Sequence, residues 1–136
     1  MSVCVAEQMG IQGKELQDLA VCALLHDNAL TQYIQEELHN DIARASAAQE
    51  FPRLGAHCSM GEHNIQGLPF HTDVANVILY HHENADGTGP FGKKWEETPL
   101  FARIIHLCDL LDVACRTQTF TTATWEKGLD FLQKAK

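Results

Sequence analysis

Apolar residues recur at helical spacing along most of the chain, and no stretch sustains the two-residue alternation of a strand. From Lys14 onward, Leu16, Leu19, Ala20, Ala23 and Leu24 form one stripe, and the break at Gly10 and Gly13 separates it from a short first helix. Three and four residues beyond Ala23 come His26 and Asp27, so two polar side chains are predicted to face inward at a helix end. A third helix over residues 31–49 carries Ile34, Leu38, Ile42 and Ala45 on one face, and Phe51-Pro52 is expected to break it. A short helix should then carry His57 and His63 and end near Gly67-Leu68-Pro69. Thr72 is the expected cap of the next helix, whose inner face is Val74, Val77 and Ile78. Helical spacing from that face reaches His81 and His82, again polar groups at core positions.

Residues 84–98 read as a loop, because Asp86-Gly87-Thr88-Gly89-Pro90 is turn chemistry throughout. Thr98-Pro99 is a helix start, a capping hydroxyl followed by proline where no N–H is needed. That helix buries Phe101, Ile104, Ile105 and Cys108, with Asp109 and Asp112 bordering the stripe, and a last helix covers residues 124–134. The expected fold is all-α, a compact single-domain helical bundle over residues 1–136.

Composition narrows the function classes. With 45% hydrophobic and 21% charged residues the chain is too apolar for disorder, and no apolar run approaches the ~20 residues of a membrane span. The first ten residues lack the pattern of a signal peptide, so a cytoplasmic protein is expected, with no membrane partner. A net charge of −8 argues against a DNA-coating protein, yet a bound cation would still let the chain hold a small anionic substrate. The 5 cysteines include no CxxC pair and read as buried reduced thiols.

Three helices thus aim ionisable groups inward: His26-Asp27, His81-His82 and Asp109. Buried carboxylates and imidazoles need partners, and one core histidine is usually satisfied by a hydrogen bond. Five such groups converging are better satisfied together by metal. Imidazole with carboxylate suits iron, manganese or zinc, and no soft thiolate set competes in the sequence. Five or six ligands can hold two ions ~3.5–4 Å apart around a phosphate.

Four segments carry a family resemblance. Ala-Leu-Leu-His-Asp at 23–27 resembles the His-Asp pair of the HD superfamily, and His57-Cys58-Ser59-Met60-Gly61 resembles its H-x-x-x-G element. The stretch from His81 to Pro90 is similar to the HHExxDGxGYP signature of HD-GYP domains, bacterial signalling phosphodiesterases. Pro99 to Asp112 resembles that group's P-x-x-A-R-I-I-x-x-x-D-x-x-D helix. The resemblance implies metal ligands at His26, Asp27, His57, His81, His82 and Asp109, with Asp27 bridging two divalent ions, iron or manganese before zinc. It further implies a metal-dependent phosphohydrolase that cleaves cyclic di-GMP, or a related phosphoester, with activated water. His26 and Asp27 would be central to that catalysis.

The chain departs from the pattern in four places. Asn28-Ala29-Leu30 replaces x-Gly-Lys, removing a phosphate-binding cation, and Gly89-Pro90-Phe91 replaces Gly-Tyr-Pro. Arg116 is a single arginine, out of register, where the family has several. No histidine precedes His26, so either a third metal site is missing or the chain lacks the family's first helix. The lost cations favour a second reading, a degenerate module that binds a nucleotide or protein partner; the six-ligand set favours the enzyme. A general HD nucleotide phosphohydrolase fits the long signature less well.

Further candidates border the signature. Glu83 and Asp86 either support the site or hold a polar turn. Arg103 is read as an ion-pair residue before a phosphate contact, and Lys93, beside Lys94, as solvated surface before an anion contact. His39, His63, His71 and His106 fit no ligand position and read as surface or rim, while Trp95 and Trp125 read as edge packing.

Overall fold

The structure, a computed structural model, describes residues 1–30, 50–70 and 72–115, with 121–123, 126, 128 and 130. The helix expected over 31–49 lies outside the described residues, as do His39, His71, Arg116, Trp125 and most of the expected last helix. The described chain forms five α-helices: α1 (Ser2–Gln8), α2 (Gly13–Leu25), α3 (Glu50–Asn64), α4 (Val74–Tyr80) and α5 (Leu100–Cys115). A single 3-10 turn, Trp95–Glu97, interrupts the loop before α5. Among the described residues there is no strand, only an isolated bridge between Asp86 and Lys94. None of the described helices is long and apolar enough to cross a membrane.

Helix α4 is the hub, packing against α2, α3 and α5, while α1 lies on α2 and α5. The core joins Leu19 and Cys22 of α2, Val74, Val77 and Ile78 of α4, and Ala102, Ile104, Ile105 and Cys108 of α5. Fully burying a side chain such as Leu19 or Ile78 contributes about 1.5–3 kcal/mol. Ile78→Val should therefore cost only about 1 kcal/mol in a denaturant melt, because one methylene leaves a small cavity. An unchanged melt would mean that Ile78 is not in the core.

Several local expectations are corrected. Leu24 is 83% exposed, because five residues past Leu19 it falls on the far side of α2; Cys22 takes the inner place instead. The cap of α4 is Asp73 and not Thr72: its carboxylate accepts from the Asn76 backbone N–H at 3.3 Å and from Asn76 Nδ2 at 2.6 Å. Phe51 and Pro52 are themselves helical, within α3, while the end of the helix expected over 31–49 lies outside the described residues. Helix α5 begins at Leu100, and the Thr98 hydroxyl donates to the Lys94 carbonyl (3.0 Å), closing the 3-10 turn. Cys22, Cys58 and Cys108 are buried free thiols as expected, but Cys4 is exposed.

Candidate metal centre

Helix ends build the cluster. His26 is the C-cap of α2 and His81 the C-cap of α4. In each, Nδ1 faces the carbonyl three residues back: Ala23 at 2.8 Å and Ile78 at 2.6 Å. A carbonyl can only accept, so Nδ1 carries a proton, and in the neutral ring the lone pair is on Nε2, directed inward. This is the arrangement by which backbone carbonyls orient metal-binding imidazoles.

The adjoining Asp27 divides its two oxygens. Oδ2 lies 3.4 Å from His26 Nε2, which is in turn 3.4 Å from Asp109 Oδ1 on α5. Oδ1 lies 3.4 Å from His57 Nε2 and 3.6 Å from His81 Nε2, and those two nitrogens are 3.3 Å apart. His82 joins through ring contacts, its centroid 4.1 Å from that of His81 and 5.0 Å from that of His57. The structure thus gathers His26, Asp27, His57, His81, His82 and Asp109 in one place, from α2, α3, the end of α4, and α5.

Asn28 and Gly61 explain why α3 arrives there. The Asn28 amide donates to the Leu25 carbonyl (2.8 Å) and the Gly61 carbonyl (3.1 Å), and its oxygen accepts from Asn64 (2.9 Å). A Cβ on Gly61 would sit 3.0 Å from Ile78 and 3.2 Å from the Asn28 amide, so the small residue permits this close approach. Both contacts hold α3, which carries His57, close to the ends of α2 and α4.

Electrostatics follow from the packing. Burial opposes charge on Asp27, yet the facing imidazoles of His57 and His81, and the charge of His26, hold its carboxyl well below the usual carboxylate range. His26 is likewise disfavoured by burial, but the Asp109 contact and the charges of Asp27 and Asp109 raise it above an ordinary imidazole. His82 is pushed down to about 2, first by burial and then by the neighbouring imidazoles His81, His57 and His106.

Asp27 Oδ1 is buried without a hydrogen-bond partner, and its 3.4 and 3.6 Å approaches are long beside the ~2.7–2.9 Å of charge-assisted hydrogen bonds. Asp27 Oδ1 and the Nε2 atoms of His57 and His81 converge at 3.3–3.6 Å, a spacing that a cation held among them satisfies. Ligand bonds of ~2.0–2.2 Å at tetrahedral or octahedral angles separate neighbouring donors by roughly 2.8–3.6 Å. The donor set therefore fits a divalent metal ion.

The other candidates fall around this cluster. Glu83 is buried, and its carboxylate accepts from the backbone N–H groups of Phe91 (2.7 Å) and Lys93 (2.5 Å), holding the signature loop in a bend. Asp86 is exposed and caps a turn by accepting from Thr88 N and Oγ1. Lys93 Nζ lies 3.6 Å from Glu97 and 5.7 Å from the Tyr80 ring centroid. Arg103 stacks 4.5 Å over Trp95, which is 51% exposed, and its Nε is buried without a partner.

Sequence reasoning missed two neighbours of the cluster. His106, read as surface or rim, is half-buried, with its ring 6.1 Å from that of His82. Its position three residues before Asp109 and four after the fully buried Ala102 was the available signal. Burial lowers its basicity, against a hydrogen bond to the His81 carbonyl. Cys58 was read as an ordinary core thiol, but its Sγ lies 3.8 Å from His57 Nε2 and 3.8 Å from His81 Nδ1. Soft sulfur therefore stands beside the imidazoles as a single buried thiol. Burial, with the charges of Asp27 and Glu83, pushes its thiol up to about 12.

The chain is similar to several known proteins. The chain is 29% identical to a cyclic di-GMP phosphodiesterase response regulator of Xanthomonas campestris, over 94% of this chain and 34% of that protein. It is 26% identical to a cyclic di-GMP phosphodiesterase of Pseudomonas aeruginosa, over 82% of this chain and 27% of that protein. The crystal structure of a cyclic GMP-AMP specific phosphodiesterase of V. cholerae superposes with a TM-score of 0.71 at 22% identity, over 99% of this chain and 37% of that one. That likeness shows a shared all-α fold. The chain thus spans about a third of the length of these relatives. A match to the family described as HD domain extends over residues 1–136, and the chain belongs to that family.

Proposed function

We propose that this domain is a metal-dependent phosphodiesterase for a cyclic dinucleotide, with His26, Asp27, His57, His81, His82 and Asp109 holding two divalent ions, iron or manganese before zinc. The observation that carries the reading is the division of Asp27: one oxygen faces His26 and the other faces His57 and His81. When bound, such ions lower the pKa of water and offset phosphate charge. The protein's own part is orientation. The Ala23 and Ile78 carbonyls fix the tautomers of His26 and His81, Asp27 holds the two halves together, and Glu83 anchors the loop that borders the cluster. Hydrolysis would break one P–O bond of the ring and add the elements of water, giving a linear dinucleotide. Two relatives named for cyclic di-GMP and a structural neighbour named for cyclic GMP-AMP support the substrate class.

The test is metal analysis of chain purified without chelator, with chromatography of products from cyclic di-GMP and cyclic GMP-AMP. Metal above one ion per chain with linear product from either compound is expected; metal-free protein that folds normally and leaves both intact would overturn the proposal. Leu30 bears on the rate. No cation stands at this position, and positioned cations act where charge develops in the transition state. Slow turnover is therefore expected, and Leu30→Lys should raise it by roughly tenfold or more, short of the ~10²–10³-fold that a fully preorganised transition-state donor contributes. Unchanged turnover with intact metal content would favour the alternative reading, a module that binds a nucleotide without cleaving it.

A further inference from the structure

The two oxygens of Asp27 face chemically unlike surroundings. On the Oδ2 side stand one imidazole and a second carboxylate, His26 and Asp109. On the Oδ1 side stand His57 and His81, and with them His82 and Cys58. Ligating atoms of His57, Cys58, His81 and His82 all lie within 4.8 Å of one another, three of the residues buried and His82 half-buried. His57 Nε2 is the shared vertex, 3.3 Å from His81 Nε2, 3.4 Å from Asp27 Oδ1 and 3.8 Å from Cys58 Sγ. A tetrahedral ion with sulfur at ~2.3 Å and nitrogen at ~2.0–2.1 Å would separate those donors by roughly 3.6 Å. Sγ meets His81 at Nδ1, also 3.8 Å away, the nitrogen that faces the Ile78 carbonyl, so the thiol must turn toward the Nε2 side of that ring to reach an ion held with His57.

Resting on the metal-centre reading above, we infer that Cys58 is a sulfur donor to the His57–His81–His82 half of the centre, which makes that half selective for a zinc-class ion. The Asp27–His26–Asp109 half keeps a harder set suited to manganese or iron. Thiolate selects softer ions and carboxylate harder ones, so one cluster would sort two different metals. On binding, the Cys58 S–H bond breaks with its proton released to water, and sulfur keeps the electron pair as a thiolate. No redox partner is needed. The buried position leaves Cys58 no competing role at the surface, since its exposure is 0%.

Cobalt(II) titration of the full chain tests this without reference to activity. The wild-type protein should develop an intense near-ultraviolet thiolate-to-cobalt band along with visible d–d bands. Cys58→Ser and Cys58→Ala should lose the near-ultraviolet band and keep the visible ones, while Cys22→Ser keeps both. In zinc–manganese competition, Cys58→Ser should lower the zinc preference of one site by about 10- to 100-fold, the range over which single supporting residues move metal affinity. Visible bands without a thiolate band in wild type, or a thiolate band that survives in both Cys58 variants, would overturn the sulfur assignment and leave the metal centre standing. Failure of wild-type protein to take up cobalt at all would overturn both.

Discussion

Replacing Asp27 with alanine is expected to empty the cluster and to remove the metal-dependent part of the protein's thermal stability. Asp27 touches both halves, so no other single substitution disconnects as many donors. Residues that merely support a ligand change metal affinity by about 10- to 100-fold, and loss of the residue shared by both halves should exceed ~100-fold. At a free metal concentration of 100 times Kd, binding stabilises the folded state by about 2.7 kcal/mol. For a chain of this size that corresponds to roughly 10 °C in Tm. Metal content by atomic emission and paired melts with and without chelator read both effects. The exposed His63 supplies the control, since His63→Ala should alter neither. Full metal content in Asp27→Ala would remove the basis for assigning this cluster as the centre.

Gly89→Ala should be the most damaging small substitution in the signature loop. A Cβ there would lie 2.6 Å from Glu83 Cα, 2.8 Å from Glu83 Oε1 and 2.9 Å from the Asn84 backbone nitrogen. Two of these atoms belong to the backbone, so no rotamer change relieves the overlap. The loop must move, and the buried Glu83 carboxylate then loses the amides of Phe91 and Lys93. Hydrogen bonds to a charged group contribute about 1.5–3 kcal/mol each, so a loss of about 3 kcal/mol and faster hydrogen exchange at both amides are expected. An unchanged melt with both amides still protected would show that the contact is absent in solution. This explains physically why glycine stands at that place in the signature: the loop backbone crosses directly over Glu83.

The helical elements were legible because their signals are local. Each residue turns the helix by about 100°, so the spacing of Leu19, Val77, Ile78, Ile105 and Cys108 already indicated which faces turn inward. The same arithmetic aimed His26, Asp27, His81, His82 and Asp109 at the interior. It failed where apolar character conflicted with geometry, as at Leu24, and where two adjacent residues offered equivalent caps, as at Thr72 and Asp73. His106 and Cys58 escaped notice for a different reason. Each has little along its own helix to mark it as special, and packing brings a further chemical neighbour from another helix: His82 for His106, and His81 for Cys58.

By itself the sequence determined an all-α chain whose polar helix ends point inward, since both properties follow from residue type and the period of one helix. Tertiary structure alone decided how those ends are shared. Which oxygen of Asp27 meets which imidazole depends on the crossing of α2, α3 and α5 around α4, and on the close approach that Gly61 and Asn28 permit. Apart from the His26–Asp27 contact, those distances join residues more than twenty positions apart, and at that separation only packing sets the spacing between donors. For the same reason the sequence indicated a set of potential ligands, while the folded chain divided them into a carboxylate-rich half and an imidazole–thiol half.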